Sequence, residues 1–274
     1  MAVRVRPAAV AGAFYPGSPG RLRGMVEELL REAPAPSAPA PKAIIAPHAG
    51  YVYSGPIAAS AFQAVASAAR TIERVVLLGP AHFVPIRGLA LPDARSFATP
   101  LGEVAINPEG AQESIRLPQV RIQPAAHAQE HSLEVEIPFL QVLLGEGFEI
   151  VPLVVGDASS EEVAEVLERL WGGPETLIVI SSDLSHFLPY EQARAVDAAT
   201  AGQILALDEP LQGRQACGAR PINGLLVAAR RKGLVPELLD LRNSGDTAGD
   251  RDRVVGYGAF GFSEGRAGAA QEPA

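Results

Sequence analysis

Imidazole side chains in this chain follow apolar runs of the kind that form buried strands. Three of the five histidines lie within four residues of the end of such a run: His48, His82 and His186. In open α/β sheets, ligands bind beyond the carboxyl ends of the strands, so the three rings are expected to converge on one crevice. Because imidazoles on rigid strand ends are common metal ligands, the pattern predicts a metal-centred active site.

His48 and His82 have similar local sequences, in which a strand is followed by a proline and then by the histidine, with a glycine close by. Proline fixes the direction of the chain, and glycine lets the backbone approach a ligand closely. A single histidine near a strand end is more often a hydrogen-bonded structural residue. The agreement between the two sequences favours ligation, so we predict that His48 and His82 bind a metal. His127 lies in a segment without periodicity and is assigned no role.

The only cysteine, Cys217, precedes a helix that is predicted to begin near Pro221. The positive end of a helix dipole favours the thiolate, which is the form of cysteine that binds metals. A lone cysteine is more often a small buried apolar residue. The sequence therefore leaves two interpretations open, a third metal ligand or a core residue.

Two further histidines have carboxylate neighbours. Asp183 lies three residues before His186 and would orient that ring as a general acid or base, although capping of a helix is an equal alternative. Glu130 and His131 stand at a predicted helix start, where capping competes with a role for Glu130 as a ligand or proton shuttle. Tyr51, close after His48, either lines the same pocket or packs in the core.

The elements that position these residues follow from the apolar periodicity. Strands are predicted over 42–47, 74–79, 148–155, 176–182, 235–242 and 253–262, and helices over 19–31, 54–69, 131–144, 159–171, 189–207 and 221–232. The alternation predicts an α/β fold with a mixed, largely parallel central sheet and helices on both faces. Short pieces over 87–123 are expected to form an antiparallel insert. We predict a single domain over 1–264 and a disordered tail over 265–274.

Composition excludes several classes of protein. The net charge of −8 argues against a nucleic-acid partner, and no segment is long and apolar enough for a membrane span. Arg4 and Arg6 before the short apolar segment 8–14 imitate a signal peptide, but no small-residue cleavage site follows. With one cysteine and no internal disulfide, a cytoplasmic location is expected. Residues 256–261 match the spacing of a dinucleotide loop, yet no helix is predicted after them, so nucleotide binding is not supported.

The segments around the candidate residues also carry recognisable motifs. They are Arg6-Pro7, residues 11–16, 46–51 and 54–55, residues 78–80 with His82, residues 130–132 and 138–141, residues 182–183 and 185–186, and residues 217–218, 243–246 and 254–257. Together they resemble the Memo family, also called protein B of the AmmeMemoRadiSam system, over most of the chain.

The resemblance implies a fold similar to the class III extradiol dioxygenases, which are non-haem iron enzymes. It implies ligands at His48, His82 and Cys217, and places His186 where those enzymes keep an acid/base histidine. Fe(II) is the expected metal, with copper or zinc as alternatives. The dioxygenases complete their site with a carboxylate, whereas the family pattern supplies a cysteine, so ring cleavage does not follow from the fold. Glu130 is the candidate that would restore a carboxylate.

These observations lead to one main functional hypothesis and two alternatives. The main one is a cytoplasmic oxidoreductase of extradiol-dioxygenase type that acts on an unknown small molecule. Its residues would be the ligands His48, His82 and Cys217, the proton-transfer pair His186 and Asp183, and the pocket residues Glu130, His131 and Tyr51. The alternatives are a metal carrier or partner- or peptide-binding scaffold that uses a degenerate enzyme cleft, and a zinc hydrolase. The resemblance also implies pathway partners among AMMECR1-like and radical-SAM proteins.

Overall fold

The computed structural model describes residues 5–35 and 39–265. Its strands, numbered in chain order, are β1 (Val5–Arg6), β2 (Ala43–Ala46), β3 (Arg74–Pro80), β4 (Leu89–Leu91), β5 (Ser96–Thr99), β6 (Gly102–Ile106), β7 (Val120–Ile122), β8 (Glu149–Val155), β9 (Thr176–Ser181), β10 (His186–Leu188), β11 (Leu234–Asn243) and β12 (Val254–Glu264). Its helices are α1 (Pro19–Glu32), α2 (Tyr51–Gln63), α3 (Pro108–Ser114), α4 (Pro124–Ala128), α5 (Ile137–Leu144), α6 (Ser160–Arg169), α7 (Tyr190–Leu205) and α8 (Ala219–Lys232). Apart from Gly265, the tail predicted over 265–274 lies outside the described residues, as does Arg4.

The strands form one mixed sheet in the order β1-β5-β6-β8-β3-β9-β2-β12-β10, with β11 beside β12, β4 beside β8 and β7 beside β4. The central strands β6, β8, β3, β9 and β2 all pair in parallel. The pairings of β12 with β2, β10 and β11 are antiparallel. The predicted α/β fold with a mixed, largely parallel central sheet is confirmed.

Helices cover both faces of the sheet, and each face has its own core. In β3, Val75 and Leu77 belong to one core, while Val76 and Leu78 belong to the other. Helices α1, α2 and α5 pack on the first face, and α6 and α8 pack on the second. A strand that is buried on both sides has no polar face, which explains why the central strands are continuous apolar runs in the sequence.

The region over 87–123 differs from its prediction as an antiparallel insert. β4 is antiparallel to β8 but parallel to β7, and β6 is antiparallel to β5 but parallel to β8. β3 pairs with one edge of β8 along its whole length, so β6 and β4 share the other edge, β6 at its beginning and β4 at its end. Local sequence patterns do not specify such long-range pairing. The helix predicted over 131–144 is also shorter: a 3-10 turn over Glu134–Glu136 leads into α5.

The topology brings the candidate residues to one edge of the sheet. β3, β9 and β2 are neighbours and run parallel, so their carboxyl ends meet. His82 follows β3, Asp183 follows β9, and His48 follows β2. None of the helices in the described ranges is both long and apolar enough to cross a membrane.

Candidate metal centre

Three histidine rings meet at the carboxyl edge of the sheet. One ring nitrogen from each of His48, His82 and His131 lies within 4.8 Å of the other two. The rings of His82 and His131 stack with their centroids 4.7 Å apart, and His48 meets both edge-on at 5.2 and 5.5 Å. Ligand atoms at about 2.1 Å from one ion lie about 3–4 Å apart, so this spacing is close to that of a metal site. The sequence placed His131 in the pocket, and the structure brings it into the cluster itself.

His48 is buried and held at three points. Its backbone N–H donates to Asp183 Oδ1 at 2.8 Å, and its Nδ1 lies 2.7 Å from Ser181 Oγ. Its Nε2 lies 3.3 Å from the sulfur of Cys217. A nitrogen and a sulfur on one tetrahedral zinc ion would be about 3.6 Å apart, so Cys217 keeps the geometry of a candidate ligand beside the histidine cluster.

The charge state of Cys217 differs from the expectation based on its helix. Cys217 lies directly before Gly218, the residue that precedes α8, as predicted. Burial, and then the nearby Asp183 carboxylate, raise the pKa of the Cys217 thiol to about 12 despite the hydrogen bonds that favour the thiolate. Burial therefore outweighs the helix terminus and keeps the thiol protonated. A bound cation would reverse this balance, because it stabilises the thiolate directly.

Glu130 fixes His82 and is ionised. Its carboxylate accepts the His82 backbone N–H at 2.6 Å, contacts His82 Nδ1 at 2.8 Å, and accepts the Ser132 N–H at 3.0 Å. Burial raises the pKa of Glu130, but the hydrogen bonds and charge of His82, together with the Ser132 N–H, outweigh burial and lower it to about 2. The Glu130 carboxylate therefore both caps the turn at Ser132 and orients the His82 ring. With Nδ1 of His82 occupied, Nε2 remains for a metal.

His131 supplies a direct test of whether a metal fits. Its Nδ1 is buried and, within the described residues, has no hydrogen-bond partner; Glu130 Oε1 lies 3.6 Å away. Burial, and then the charge of His82, lower the pKa of His131 to about 4. Burial also lowers the pKa of His48 well below its usual range. Neutral imidazoles are the form that binds metals, so the lowered pKa values of His48 and His131 and the three converging rings fit a metal ion.

Asp183 and His186 are not paired in the way that the sequence suggested. Asp183 holds the backbone at His48, and burial raises its pKa to about 7 against the effect of that hydrogen bond. His186 is an exposed residue whose Nδ1 lies 2.9 Å from the Leu184 carbonyl. Among the described contacts, the Asp183 carboxylate holds the backbone N–H of His48, and the Leu184 carbonyl orients the His186 ring. The expected support of His186 by Asp183 is corrected accordingly.

Tyr51 and His127 are buried residues that each contact a backbone carbonyl of a neighbouring segment. Tyr51 is 2% exposed, and its hydroxyl donates to the Val135 carbonyl at 2.6 Å. Its ring packs 4.9 Å from that of Phe139, so the structure favours the core alternative over a place in the pocket. His127 is buried in α4, and its Nε2 lies 2.9 Å from the Ala90 carbonyl.

An N-terminal strap, residues 5–15, forms one wall of the centre, and no pattern in the sequence indicates this position. The Arg6 guanidinium forms a buried ion pair with Glu134 and donates to the carbonyl of His127 at 3.0 Å. Glu134 also accepts the hydroxyl of Tyr15. This anchoring places the ring of Phe14 4.7 Å from that of His131. No local pattern marks Arg6 and Glu134 as partners, because they are 128 residues apart.

Exposed aromatic residues follow two of the histidines. Phe83 is 53% exposed directly after His82, and Phe187 is 59% exposed directly after His186. Phe187 has φ of +59°, a left-handed conformation that is strained for a bulky residue. The Arg253 guanidinium lies over its ring at 5.0 Å. The chain thus maintains a costly backbone conformation beside His186, as is common at functional sites.

Comparison with known proteins agrees with this architecture. The family model described as Memo-like protein matches residues 6–260. A MEMO1 family protein of Sulfolobus acidocaldarius is 36% identical, with 95% of this chain and 100% of the relative covered. Its counterpart in Methanopyrus kandleri is also 36% identical, over 95% and 99% of the two chains. The one from Aquifex aeolicus is 37% identical, over 93% and 98%. This chain belongs to the Memo family.

Proposed function

We propose that the protein is a metal-dependent oxidoreductase that acts on a small molecule beside the histidine cluster, with Fe(II) as its metal. The observation that carries the proposal is the convergence of three imidazole nitrogens within 4.8 Å of one another. Imidazole ligands suit iron, copper and zinc, whereas a magnesium or calcium site would be built from oxygen atoms. The Memo family membership is consistent with it.

The ion would be held by His48 and His82, with His131 and Cys217 as the remaining donors. An Fe(II) ion in that place supplies Lewis-acid and one-electron chemistry toward a small ligand. Glu130 keeps Nδ1 of His82 occupied, and Asp183 holds the backbone of His48. Ligand orientation is therefore set by groups that do not themselves need to touch the ion.

Proton transfer is assigned to His186. Its Nδ1 donates to the Leu184 carbonyl, so the neutral ring has its lone pair on Nε2 and is ready to accept a proton. Although His186 is an exposed residue, its ring is partly withdrawn from solvent, and this partial desolvation lowers its pKa and favours the neutral ring at pH 7. Phe187, whose ring lies 5.7 Å from that of His186, and Phe83, whose ring lies 5.9 Å from that of His131, provide exposed apolar surface where a substrate would displace water.

One observation favours zinc hydrolysis as the second candidate. Three histidines are the ligand set of carbonic anhydrase, in which zinc lowers the pKa of bound water. Asp183 holds the backbone N–H of His48, and Glu130 holds the backbone N–H and ring of His82. Neither of these carboxylates is therefore assigned as a metal ligand in place of a histidine. A zinc enzyme would work without oxygen, which separates the two candidates.

Elemental analysis of protein purified without an affinity tag tests the proposal. We expect near-stoichiometric iron that is lost in His48→Ala and retained in His127→Asn, a control that removes a histidine outside the cluster. Oxygen uptake with a series of catechols should then depend on His186, so that His186→Ala keeps the metal and loses turnover. Stoichiometric zinc with oxygen-independent activity would replace the oxidoreductase by the hydrolase. Copper, or a function that survives His186→Ala, would favour a carrier or scaffold.

The remaining expectations belong to the same proposal. A cytoplasmic location and a pathway shared with AMMECR1-like and radical-SAM proteins rest on the composition and the family resemblance. Co-purification with those two classes of protein from cells that produce all three is the measurement that would support or refute the partnership.

A further inference from the structure

A chain of buried hydrogen bonds lies behind His48, on the side away from Cys217. His48 Nδ1 is 2.7 Å from Ser181 Oγ, and that hydroxyl is 2.9 Å from Glu136 Oε1. The same hydroxyl is 2.5 Å from the carbonyl oxygen of Ser132. Ser181, Glu136 and Ser132 are fully buried, so these groups contact one another away from bulk solvent.

The protons in this chain are fixed by counting donors and acceptors. A serine hydroxyl has one proton to donate and two lone pairs to accept with. The Ser132 carbonyl only accepts, so the Ser181 proton must point toward it. The two remaining contacts then require donors: the N–H at Nδ1 of His48, and the O–H of a protonated Glu136.

The surroundings of Glu136 agree with this assignment. Burial raises the pKa of Glu136 well above its usual range, and the Asp183 charge raises it further, although the Ser181 hydrogen bond acts in the opposite direction. Its second oxygen, Oε2, is buried and has no hydrogen-bond partner within the described residues. An ionised carboxylate would need donors at both oxygens, whereas a carboxylic acid in this place needs one acceptor for its proton.

The result is a fixed tautomer of His48. With its proton on Nδ1, the ring presents the lone pair of Nε2 to Cys217 and to the histidine cluster. His82 reaches the same tautomer by a different route, since its Nδ1 contacts the ionised Glu130. The two imidazoles are therefore supported by a neutral hydroxyl and by an anion, respectively.

We propose that Ser181 and Glu136 are positioning residues of the metal centre, in which the carboxylic acid of Glu136 orients the Ser181 hydroxyl and that hydroxyl holds His48 in the tautomer with Nε2 toward the metal. This inference rests on the part of the proposed function that assigns His48 as a ligand. It adds the residues that orient the ligand and the protonation state in which they act.

The first experiment needs no metal. In the metal-free protein, ¹⁵N shifts of the histidine side chains should show His48 as the Nδ1–H tautomer. In Ser181→Ala the ring should become a mixture of tautomers. Ser114→Ala is the matched control, because Ser114 is also buried and its hydroxyl donates to a backbone carbonyl in α3. An Nε2–H tautomer in the unaltered protein would overturn the inference even if metal binding were normal.

The second experiment uses Co(II), whose absorption spectrum reports its ligands. Removing a group that orients a ligand typically costs roughly 10- to 100-fold in metal affinity, which is the loss expected for Ser181→Ala, with an altered Co(II) spectrum. Glu136→Gln should stay within about threefold of the unaltered protein, because its amide N–H replaces the acid proton. Glu136→Leu should approach the loss seen in Ser181→Ala.

The outcomes separate this inference from the proposed function. If Co(II) does not bind at all, the proposed metal function fails, while the tautomer measurement still decides the role of Ser181. If Co(II) binds and Ser181→Ala leaves affinity and spectrum unchanged, the positioning role is wrong. If Glu136→Gln is as weak as Ser181→Ala, an ionised Glu136 is required and the proton assignment is wrong. Should Glu136→Leu fail to fold, Ser181→Ala and Glu136→Gln give the answer without it.

Discussion

Glu130 and Asp183 are both buried carboxyl groups beside the histidine cluster, yet their pKa values are shifted in opposite directions. Glu130 accepts three hydrogen bonds, two of them from His82, and these outweigh the effect of burial. Asp183 also accepts backbone N–H groups at the His48 loop, but burial dominates and raises its pKa to about 7. The direct contact of Glu130 with the imidazole N–H of His82 distinguishes the two groups, because it favours the ionised carboxylate in a buried place.

Replacement of Glu130 by glutamine should weaken metal binding by roughly 10- to 100-fold, because the anion that orients His82 is lost. Competition with a coloured chelator measures the change. Glu113→Gln is the control: Glu113 also pairs with basic side chains, but at the surface and remote from the centre. Equal affinity in Glu130→Gln and the unaltered protein would show that His82 needs no such support or is not a ligand.

The pH response of His131 follows from its lowered pKa. In the metal-free protein its ring should stay neutral down to a midpoint of about 4. An unfolded histidine titrates near 6.5, so the contribution of His131 to stability is present above pH 6.5 and is lost as the pH falls toward 4. Nuclear magnetic resonance of the ring protons measures the midpoint, with assignment by His131→Asn. A midpoint near 6.5 would contradict the burial of this ring.

At the scale of elements, a close contact between α7 and β12 holds Ser185, the residue that leads into His186 and β10. Asp197 of α7 accepts the N–H of Ser185 at 3.0 Å, and its carboxylate lies where a methyl group on Gly256 would be. The N–H of Gly256 in turn donates to the Ser185 carbonyl at 2.8 Å. The position of His186 therefore depends on the absence of a side chain at residue 256.

Gly256→Ala should destabilise the protein by about 1–3 kcal/mol, since the added methyl group collides with the Asp197 carboxylate. Urea denaturation gives the difference in unfolding free energy. Gly202→Ala is the matched control in α7, where nothing lies within 4 Å of the added carbon, and it should stabilise the helix by about 0.5–1 kcal/mol. If both variants change stability by the same amount, the packing of Asp197 against Gly256 is not tight.

The sequence predicts the elements that carry His48 and His82 because strands buried on both faces leave a local signature. The same signature predicts β9, the strand that ends shortly before Asp183. The partners of Asp183 and Glu134 could not be predicted, because each hydrogen bond joins segments that the fold alone brings together. His131 illustrates the difference: its position at a helix start was visible in the sequence, whereas its stacking on His82 depends on the docking of that turn over β3.

At the scale of the whole molecule, the ion pair of Arg6 with Glu134 ties the beginning of the chain to the turn after His131. Arg6→Met should cost about 3–5 kcal/mol, because it leaves a buried carboxylate without its counter-charge. Denaturation by urea measures the loss, and increased cleavage of the strap by trypsin or chymotrypsin should accompany it. Arg31→Met, which removes an exposed pair with Glu28 at 3.8 Å, should change stability by less than about 1 kcal/mol. A small effect of both would mean that the strap is not anchored through Glu134.

The strand order also governs when the centre becomes complete during synthesis. β9 lies between β3 and β2 in the sheet, although it is made about a hundred residues after them. A growing chain that has not yet reached Thr176 contains His48, His82 and His131 but lacks the strand that sets the spacing of the first two. Non-local parallel pairing of this kind forms slowly. Under the proposed function, the metal would therefore find its ligands at their final spacing only late in synthesis, after β9 has been made.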